Sequence, residues 1–254
     1  MVMTVNTSGQ PAPKTAAETA HRAATPPTAS LARSAFDRLR KAIVTHELRP
    51  GTRISERFLE ERYGLRRAAI RDALVRLEEK QLIEAISPKK TIVAPLTMES
   101  IRALFDLRTL LEPDAAAKAA GRIDRATFKR LDDACRADFT LGDPHSEFAF
   151  LEANKAFHMA IAHAAGNRLQ ADFIEQVQDA SMRIMWVGLQ LGDSSDVWRH
   201  GHDDIVQALL EGDAQAARDK AQRHLKEGQR SIFELLASSP MLSNIEITMN
   251  AGIR

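Results

Sequence analysis

Residues 48–96 read LRPGTRISERFLEERYGLRRAAIRDALVRLEEKQLIEAISPKKTIVAPL, and this stretch decides the fold of the N-terminal part of the chain. Pro50-Gly51 ends a preceding helix, and Ser55 is a typical N-cap for the next one. Gly64 supplies a turn before a third helix, whose apolar residues recur on one face. Two short β-prone segments follow, at 82–86 and 92–94. This order of elements predicts a winged helix-turn-helix domain.

Arginine is concentrated around the third helix of the domain, which is the second helix of the helix-turn-helix motif. In a helix-turn-helix that helix enters the major groove, and its N-terminal residues face the base edges. Arg67 and Arg71 are four residues apart and share a face, where each guanidinium can pair with guanine or clamp a phosphate. A solvated basic face is the plain alternative, but the turn, the core spacing and the wing together favour double-stranded DNA. The residues predicted to contact DNA are Arg57, Arg66, Arg67, Arg71, Lys89 and Lys90.

The formal net charge of +1 hides an asymmetry between two parts of the chain. Residues 33–96 hold 15 Lys or Arg against 9 Asp or Glu, whereas residues 97–254 hold 18 against 24. A basic module followed by an acidic one indicates a polyanion-binding part and a part with another task. Small domains often differ by a few charges, so the asymmetry supports the motif and does not replace it.

The composition also limits the classes of protein that need to be considered. The single cysteine, Cys135, excludes a disulfide within the chain, and no apolar run approaches the roughly 20 residues that span a bilayer. We therefore expect a cytoplasmic protein that does not enter a membrane. The predicted parts are a disordered tail over 1–32, the winged domain over 33–96, a helical effector-binding and dimerisation domain over 97–238, and a C-terminal tail over 239–254.

From Met98 onward the pattern is helical almost throughout. Gly and Gly-Asp breaks divide it into six predicted helices, at 98–120, 124–140, 146–165, 168–190, 196–211 and 214–237. Pro113 lies within the first of these and is expected to kink it or to mark a local break. The predicted fold class is mainly α, with an N-terminal winged helix-turn-helix followed by an all-α helical-bundle ligand-binding domain.

The winged module resembles the N-terminal domain of the GntR-type bacterial transcription regulators. The resemblance covers residues 35–96 and is carried by LRPGTRISERFLEERYGLRRAAIRDALVRLEEKQLI and by TIVAPL after the wing. It implies that Arg57, Arg67 and Arg71 meet DNA. Arg66 stands where many members have Ser or Thr, which makes this surface more basic. Pro88-Lys89-Lys90 replaces the usual Asn-Arg-Gly of the wing tip, so Lys89 keeps the charge and the glycine is lost.

The second half resembles the all-helical FCD domain of the FadR branch of that family. The matching stretches are LRTLLEPDAAAKAA at 107–120, NKAFHMAIAHAAGN at 154–167, GHDDIVQALLEGD at 201–213 and the helix around His224. Six predicted helices, in place of seven, are closer to the shorter VanR-like group. The resemblance implies a bundle that binds a small effector.

Three histidines from three predicted helices form a candidate metal site. Asn154 and His158 share one helical face, and His202 and His224 belong to later helices. Any one of these imidazoles read alone is an ordinary hydrogen-bonded histidine, but three in one bundle suit a divalent transition metal. The resemblance implies three His plus an Asp, and Asn154 occupies the Asp position without its charge. Zinc, nickel and manganese all remain open.

Two arginines are candidates for binding an effector. Arg108 lies on an otherwise apolar helix, and a buried Arg needs an anionic partner. Glu112, four residues on, is one such partner, and the carboxylate of a small effector is the other. The resemblance to FCD domains favours the effector, with the metal meeting the same carboxylate. Arg183 is a candidate to line the same pocket, with Met182 and Trp186 as its apolar wall, but ordinary bundle core is the favoured explanation for these three residues.

Three functional hypotheses follow from these patterns. The first is a homodimeric repressor that binds a palindromic operator and responds to a small organic acid. The second is a metal-dependent enzyme that uses the histidine cluster, with Asp203 or Asp204 as base. The third is a regulator in which Asn154 and the histidines bind ligand through hydrogen bonds without a metal. The absence of an obvious base beside the histidines favours a regulator over an enzyme.

Overall fold

The computed structural model describes residues 27–137, 139–191, 201–238 and 247–248. An N-terminal winged head is followed by a helical bundle, which confirms the predicted fold class. The elements of the head are α1 (Pro27–Val44), β1 (Arg53–Ile54), α2 (Glu56–Tyr63), α3 (Arg67–Glu79), β2 (Ile83–Ser87) and β3 (Lys90–Val93). Helix α1 begins within the predicted tail of residues 1–32, and residues 1–26 of that tail lie outside the described ranges.

The turn between α2 and α3 forms for local reasons. The Ser55 side chain accepts a hydrogen bond from the Phe58 amide at 3.2 Å and caps α2. Gly64 ends the helix in the left-handed conformation at φ +63°, which glycine adopts without a steric cost. Behind the turn, Leu39, Ile70 and Leu77 are buried in one apolar core. These contacts fix α3 against α1 and leave its other face in solvent.

The wing is a three-stranded antiparallel sheet with the strand order β1-β3-β2. Arg53 pairs with Ile92, and Ile83 pairs with Val93. The predicted segments 82–86 and 92–94 match β2 and β3 within a few residues, whereas β1 was not predicted. A strand of two residues carries no alternation of apolar and polar side chains, so its sequence holds no periodic signal.

The bundle contains α4 (Met98–Ala119), α5 (Arg125–Arg136), α6 (Pro144–Ala164), α7 (Arg168–Leu191), α8 (Asp203–Glu211) and α9 (Ala214–Ser238). Six helices were predicted here and six are seen within the described residues, while the predicted start of the fifth, at 196, lies outside them. Helix α4 continues through Pro113, so the expected local break is absent. Proline removes one backbone donor, and the buried Phe105, Ala115 and Ala116 on either side hold the helix in the core.

The junction between head and bundle is short. Strand β4 (Leu96–Thr97) leads directly into α4, and Thr97 and Ser100 form a reciprocal capping box at the start of that helix. Strand β5 (Ile247–Thr248), within the predicted C-terminal tail, pairs in parallel with β4. Four residues, 94–97, separate β3 from α4, so the bundle and the wing are joined without a long linker. Among the described helices, none combines the length and apolar character needed to cross a bilayer.

Candidate functional sites

Three arginines lie at the N-terminal end of α3, at positions 66, 67 and 71. Arg66 is the N-cap residue and makes no side-chain cap. Arg67 and Arg71 are about two-thirds exposed, and their guanidinium groups bond to Glu60 at 2.9 Å and Glu56 at 2.8 Å on α2. Surface pairs of this kind stabilise little. These guanidinium groups can therefore exchange a carboxylate for another anion.

The other basic residues predicted to contact DNA are also exposed. Arg57 on α2 pairs with Glu61, one turn further along the same helix, at 2.7 Å. Lys89 and Lys90 lie at the turn between β2 and β3, where Arg53 donates to the Lys89 carbonyl at 3.1 Å. The structure thus presents a helix and a wing tip with solvent-exposed cationic side chains, as a winged DNA-binding domain requires.

The three candidate metal-binding histidines meet inside the bundle. His158 lies on α6, His202 is the N-cap residue of α8, and His224 lies on α9. One ring nitrogen from each histidine lies within 4.8 Å of the other two. His158 and His202 are buried, and the ring of His202 stacks on Phe157 with centroids 4.1 Å apart. The structure therefore brings together three residues that are separated by up to 66 positions in sequence.

The hydrogen bonds of these rings leave nitrogens available for a metal. His158 Nδ1 bonds to Glu112 Oε2 at 2.8 Å, and its buried Nε2 has no partner. Both nitrogens of His202 are buried without a partner, and His224 bonds to the backbone of Gly201. Buried polar atoms without partners are costly. A divalent ion would satisfy these nitrogens, so the donor set fits a metal.

The electrostatics of the cluster favour neutral imidazoles at His202 and His224. Burial, together with the nearby charges of His158 and Arg108, lowers the pKa of His224 to about 3. Burial also holds the pKa of His202 well below its usual value. Neutral imidazole is the form that ligates a metal.

Glu112 on α4 connects the histidine cluster to the rest of the bundle. Its carboxylate accepts hydrogen bonds from Arg108 Nε at 2.6 Å and from Gln178 Nε2 at 3.0 Å, in addition to His158. Burial alone would raise the pKa of Glu112, but the charges of Arg108 and His158 outweigh burial and hold it below its usual value. Glu112 is therefore an anion that orients His158 and balances Arg108.

A cavity of about 60 Å³ lies beside the histidines. Asn154 lines it, with its amide donating to Met185 Sδ at 3.6 Å. Phe105, Met185, Leu225 and Ile232 form its apolar wall, and Arg108, His158, His224 and Glu227 are its charged or titratable lining residues. A space of about 10–15 Å³ measured in this way holds one water. The cavity therefore has room for a small molecule of only a few heavy atoms.

Arg108 fits both roles that were considered for it from the sequence, pairing with Glu112 and lining the effector cavity. It is buried and pairs with Glu112, and it also lines the cavity. The two bonds to Glu112 use two of the five N–H donors of a guanidinium. The internal pair explains the burial of this arginine, and further donors remain for a ligand.

Arg183 lies away from this cavity, which corrects the expectation that it lines the same pocket. It donates to the Ala94 carbonyl at 2.5 Å and faces the groove between the wing and the helices α4 and α7. Burial lowers the pKa of Arg183 to about 10. Met182 and Trp186 belong to the apolar core, and Met185 lines the cavity in their place. Helix α7 is buried on several faces, so its sequence did not show which neighbour each face meets.

Two residues of this region were missed from the sequence. Glu227 on α9 lines the cavity, but it looked like one more charge on a polar helix. Gln178 is buried and bonds to Glu112. A polar Gln-Asp pair inside the apolar run of α7 was the available signal.

Asp203 and Asp204 do not supply the base that an enzyme would need beside the histidines. Asp203 pairs with Arg136, and Asp204 lies 3.8 Å from Arg223. Both carboxylates are more than half exposed at the start of α8. The geometry gives the enzyme hypothesis no support.

A winged head with exposed arginines on α3, joined to a helical bundle with a small and mostly apolar cavity, is the architecture of ligand-responsive transcription regulators. Two family models match this chain in agreement with that architecture. The model described as bacterial regulatory proteins of the gntR family matches residues 31–93, and the FCD domain model matches residues 103–227. The chain belongs to the GntR family of bacterial regulatory proteins and carries a C-terminal FCD domain.

Individual relatives agree with this assignment. The HTH-type transcriptional repressor RspR of Escherichia coli K12 is 24% identical over 209 residues, which span 82% of this chain and 92% of that protein. Among solved structures, E. coli McbR/YncC has a TM-score of 0.67 at 18% identity and covers 80% of this chain and 97% of its own. A putative GntR regulator from Rhodococcus sp. RHA1 has a TM-score of 0.63 at 21% identity, with 81% and 98% covered. The relatives are regulators, and the solved structures share the fold.

Proposed function

We propose that this protein is a homodimeric repressor whose binding to a palindromic operator is controlled by a small carboxylate effector held beside a divalent metal. The observation that carries the DNA-binding part is the exposed N-terminal end of α3, with Arg66, Arg67 and Arg71 in a winged head. Repression is inferred from the name of RspR. A bacterial transcription regulator acts on the chromosome, which lies in the cytoplasm, so we place this protein there.

The contacts with DNA are assigned by the geometry of winged domains. The arginines of α3 would enter the major groove, where a guanidinium donates two hydrogen bonds to guanine. Arg57 would hold a phosphate, and Lys89 and Lys90 would reach the flanking groove or backbone from the wing tip. Phosphate contacts fix the position of the head, and base contacts supply the sequence preference.

A dimer is inferred from the symmetry of such recognition. Two heads related by a two-fold axis match two half-sites in inverted orientation. Helices α4 and α7 also expose four large apolar side chains, namely Leu107 and Leu110 on α4 and Leu169 and Phe173 on α7. Helices α4 and α7 pack against each other, and exposed apolar groups of this kind are common at protein interfaces. A second copy of the chain would cover them.

His158, His202 and His224 would hold the metal, with the Asn154 side-chain oxygen as a fourth, neutral ligand. Zinc, nickel and manganese suit such a nitrogen-rich set to different degrees. When bound, the ion supplies a positive charge that attracts an effector carboxylate. Glu112 fixes the ring of His158, and its bond to Nδ1 leaves Nε2 to face the cluster.

Arg108, which lines the same cavity, would bind the same carboxylate. Its guanidinium has donors beyond those that bond to Glu112, and a charge-assisted pair is strong in a buried site. The cavity of about 60 Å³ limits the effector to a small organic acid. Its apolar wall, which includes Phe105 and Met185, would pack against the carbon skeleton.

Selection from a randomised pool of duplexes by the full-length protein tests this proposal. We expect enrichment of an inverted repeat whose two half-sites are centred about one helical turn, or a multiple of it, apart. Light scattering of the complex should give two chains per duplex. A pool that shows no enriched sequence after repeated rounds would contradict the assignment of these arginines to sequence recognition.

A further inference from the structure

A carboxylate buried between the head and the bundle holds three cations. Asp179 on α7 has a side chain only 1% exposed. Its Oδ1 accepts hydrogen bonds from Arg40 Nε at 2.9 Å and from Lys155 Nζ at 2.7 Å, and its Oδ2 lies 3.2 Å from Lys80 Nζ. Arg40 belongs to α1, and Lys80 directly follows α3. Two of the three cations therefore come from the DNA-binding head.

The ion pairs at Asp179 and its burial have opposite effects on the pKa of its carboxyl group. Burial alone would raise the pKa of this carboxyl, but the charges of Arg40, Lys155 and Lys80 outweigh it and hold the pKa below its usual value. Further bonds surround the cluster, because Arg40 reaches Glu152 at 2.6 Å and Lys80 reaches Glu175 at 2.6 Å. Removal of one partner from a buried pair leaves the other charge uncompensated. The position of α1 and of the end of α3 is thus tied to this one carboxylate.

The residue before Asp179 faces the other way, into the bundle. Gln178 is 1% exposed and donates to Glu112 Oε1 at 3.0 Å. Glu112 in turn bonds to Arg108 and His158, which line the cavity. Successive residues of a helix point about 100° apart. One turn of α7 therefore touches the candidate effector site on one side and the DNA-binding head on the other.

We propose that Gln178 and Asp179 form the link through which the histidine site sets the position of the recognition helix α3. The inference rests on the proposed function, since it requires both a ligand in the bundle and DNA at the head. A ligand that draws on Arg108 or His158 changes the hydrogen bonds of Glu112. Gln178 follows Glu112, α7 turns or shifts with it, and the ion pairs of Asp179 carry this movement to Lys80 and Arg40.

The test compares operator affinity with and without zinc in the full-length protein. The probes are zinc ion, with EDTA for its removal, and the duplex selected from the randomised pool. We expect the two dissociation constants of the wild type to differ by about fivefold or more, as for typical coupled sites. Because coupling of binding equilibria is reciprocal, the duplex should change zinc affinity by the same factor.

In the Asp179→Asn and Gln178→Met variants, we expect operator affinity with and without zinc to agree within about twofold. Zinc affinity with and without the duplex should agree equally well. The absolute affinities can change without affecting this comparison. Lys80→Gln tests the same link from the head if Asp179→Asn does not fold. Asp172→Asn is the matched control, because Asp172 is an exposed acid on the same helix. A double variant of Gln178 and Asp179 should lose no more coupling than either single one.

Two results would overturn the inference while the proposed function stands. One is a wild type that binds both zinc and the duplex but has the same operator dissociation constant with and without zinc, since the two sites would then not be coupled. The other is a set of variants that keep the wild-type ratio. A protein that selects no duplex, or binds no zinc, instead contradicts the proposed function itself.

Discussion

Replacement of both Arg67 and Arg71 by alanine should weaken binding to the selected operator by about 100-fold or more. Each guanidinium that pairs with guanine in the major groove is worth about 10- to 100-fold in discrimination. In the free protein these exposed side chains pair with Glu60 and Glu56 at the surface, so the fold should not depend on them. Titration of a labelled duplex, followed by gel shift or anisotropy, measures the effect.

Arg168→Ala is the control for this experiment, because Arg168 is an exposed arginine at the start of α7 in the bundle. It removes one arginine charge without touching the head and should leave operator affinity within about twofold of the wild type. The melting temperatures of all variants should agree, since surface ion pairs contribute little. An Arg67 and Arg71 double variant with wild-type affinity would remove α3 from the recognition surface.

Replacement of His202 or His224 by alanine should abolish stoichiometric zinc binding. Even changes in the groups that orient a metal ligand cost about 10- to 100-fold in affinity, and loss of one of three histidines is expected to cost more. Since burial keeps the pKa values of His202 and His224 low, both rings are neutral at pH 7 and bind without releasing a proton. Elemental analysis after dialysis, and competition with a chromophoric chelator, give the number of ions and the affinity.

His163→Ala is the matched control, since His163 is exposed on α6 and lies outside the cluster. It should retain the zinc content of the wild type. Because His202 is buried against Phe157, its alanine variant requires a thermal melt in EDTA to show that the bundle is folded. Full zinc content in both the His202 and the His224 variants would refute the ligand assignment and favour a hydrogen-bonded ligand site without a metal.

The head could be predicted from local sequence because its decisive signals are local. The cap at Ser55 and the left-handed position at Gly64 each act within a few residues, and the apolar spacing of α3 needs only one helix to be visible. Strand β1 gave no signal, because a two-residue strand exists only through its pairing with β3. The passage of α4 through Pro113 also depends on packing, which holds the helix in the core although one hydrogen bond is missing.

The sequence predicted which residues form the site better than it predicted the contacts that these residues make. Asn154, His158, His202 and His224 were identified through the family pattern and their helical spacing, and the structure brings the three histidines together. Arg183 was misplaced, because periodicity shows that a residue is buried and not which element it meets. The role of Asp179 depends on Arg40 and Lys80, which are about 100 or more positions distant in sequence, so no pattern within α7 could reveal it.

The salt dependence of operator affinity tests the central claim most directly, namely that the winged head of this regulator reads duplex DNA with its basic residues. The full-length protein is titrated with its selected duplex and with a scrambled duplex between about 50 and 200 mM salt. We expect the affinity to fall by about 100-fold or more over this range as counterions are released from neutralised phosphates, with the selected duplex bound more tightly at every concentration. Equal affinity for both duplexes, or an affinity that does not change with salt, would contradict the claim.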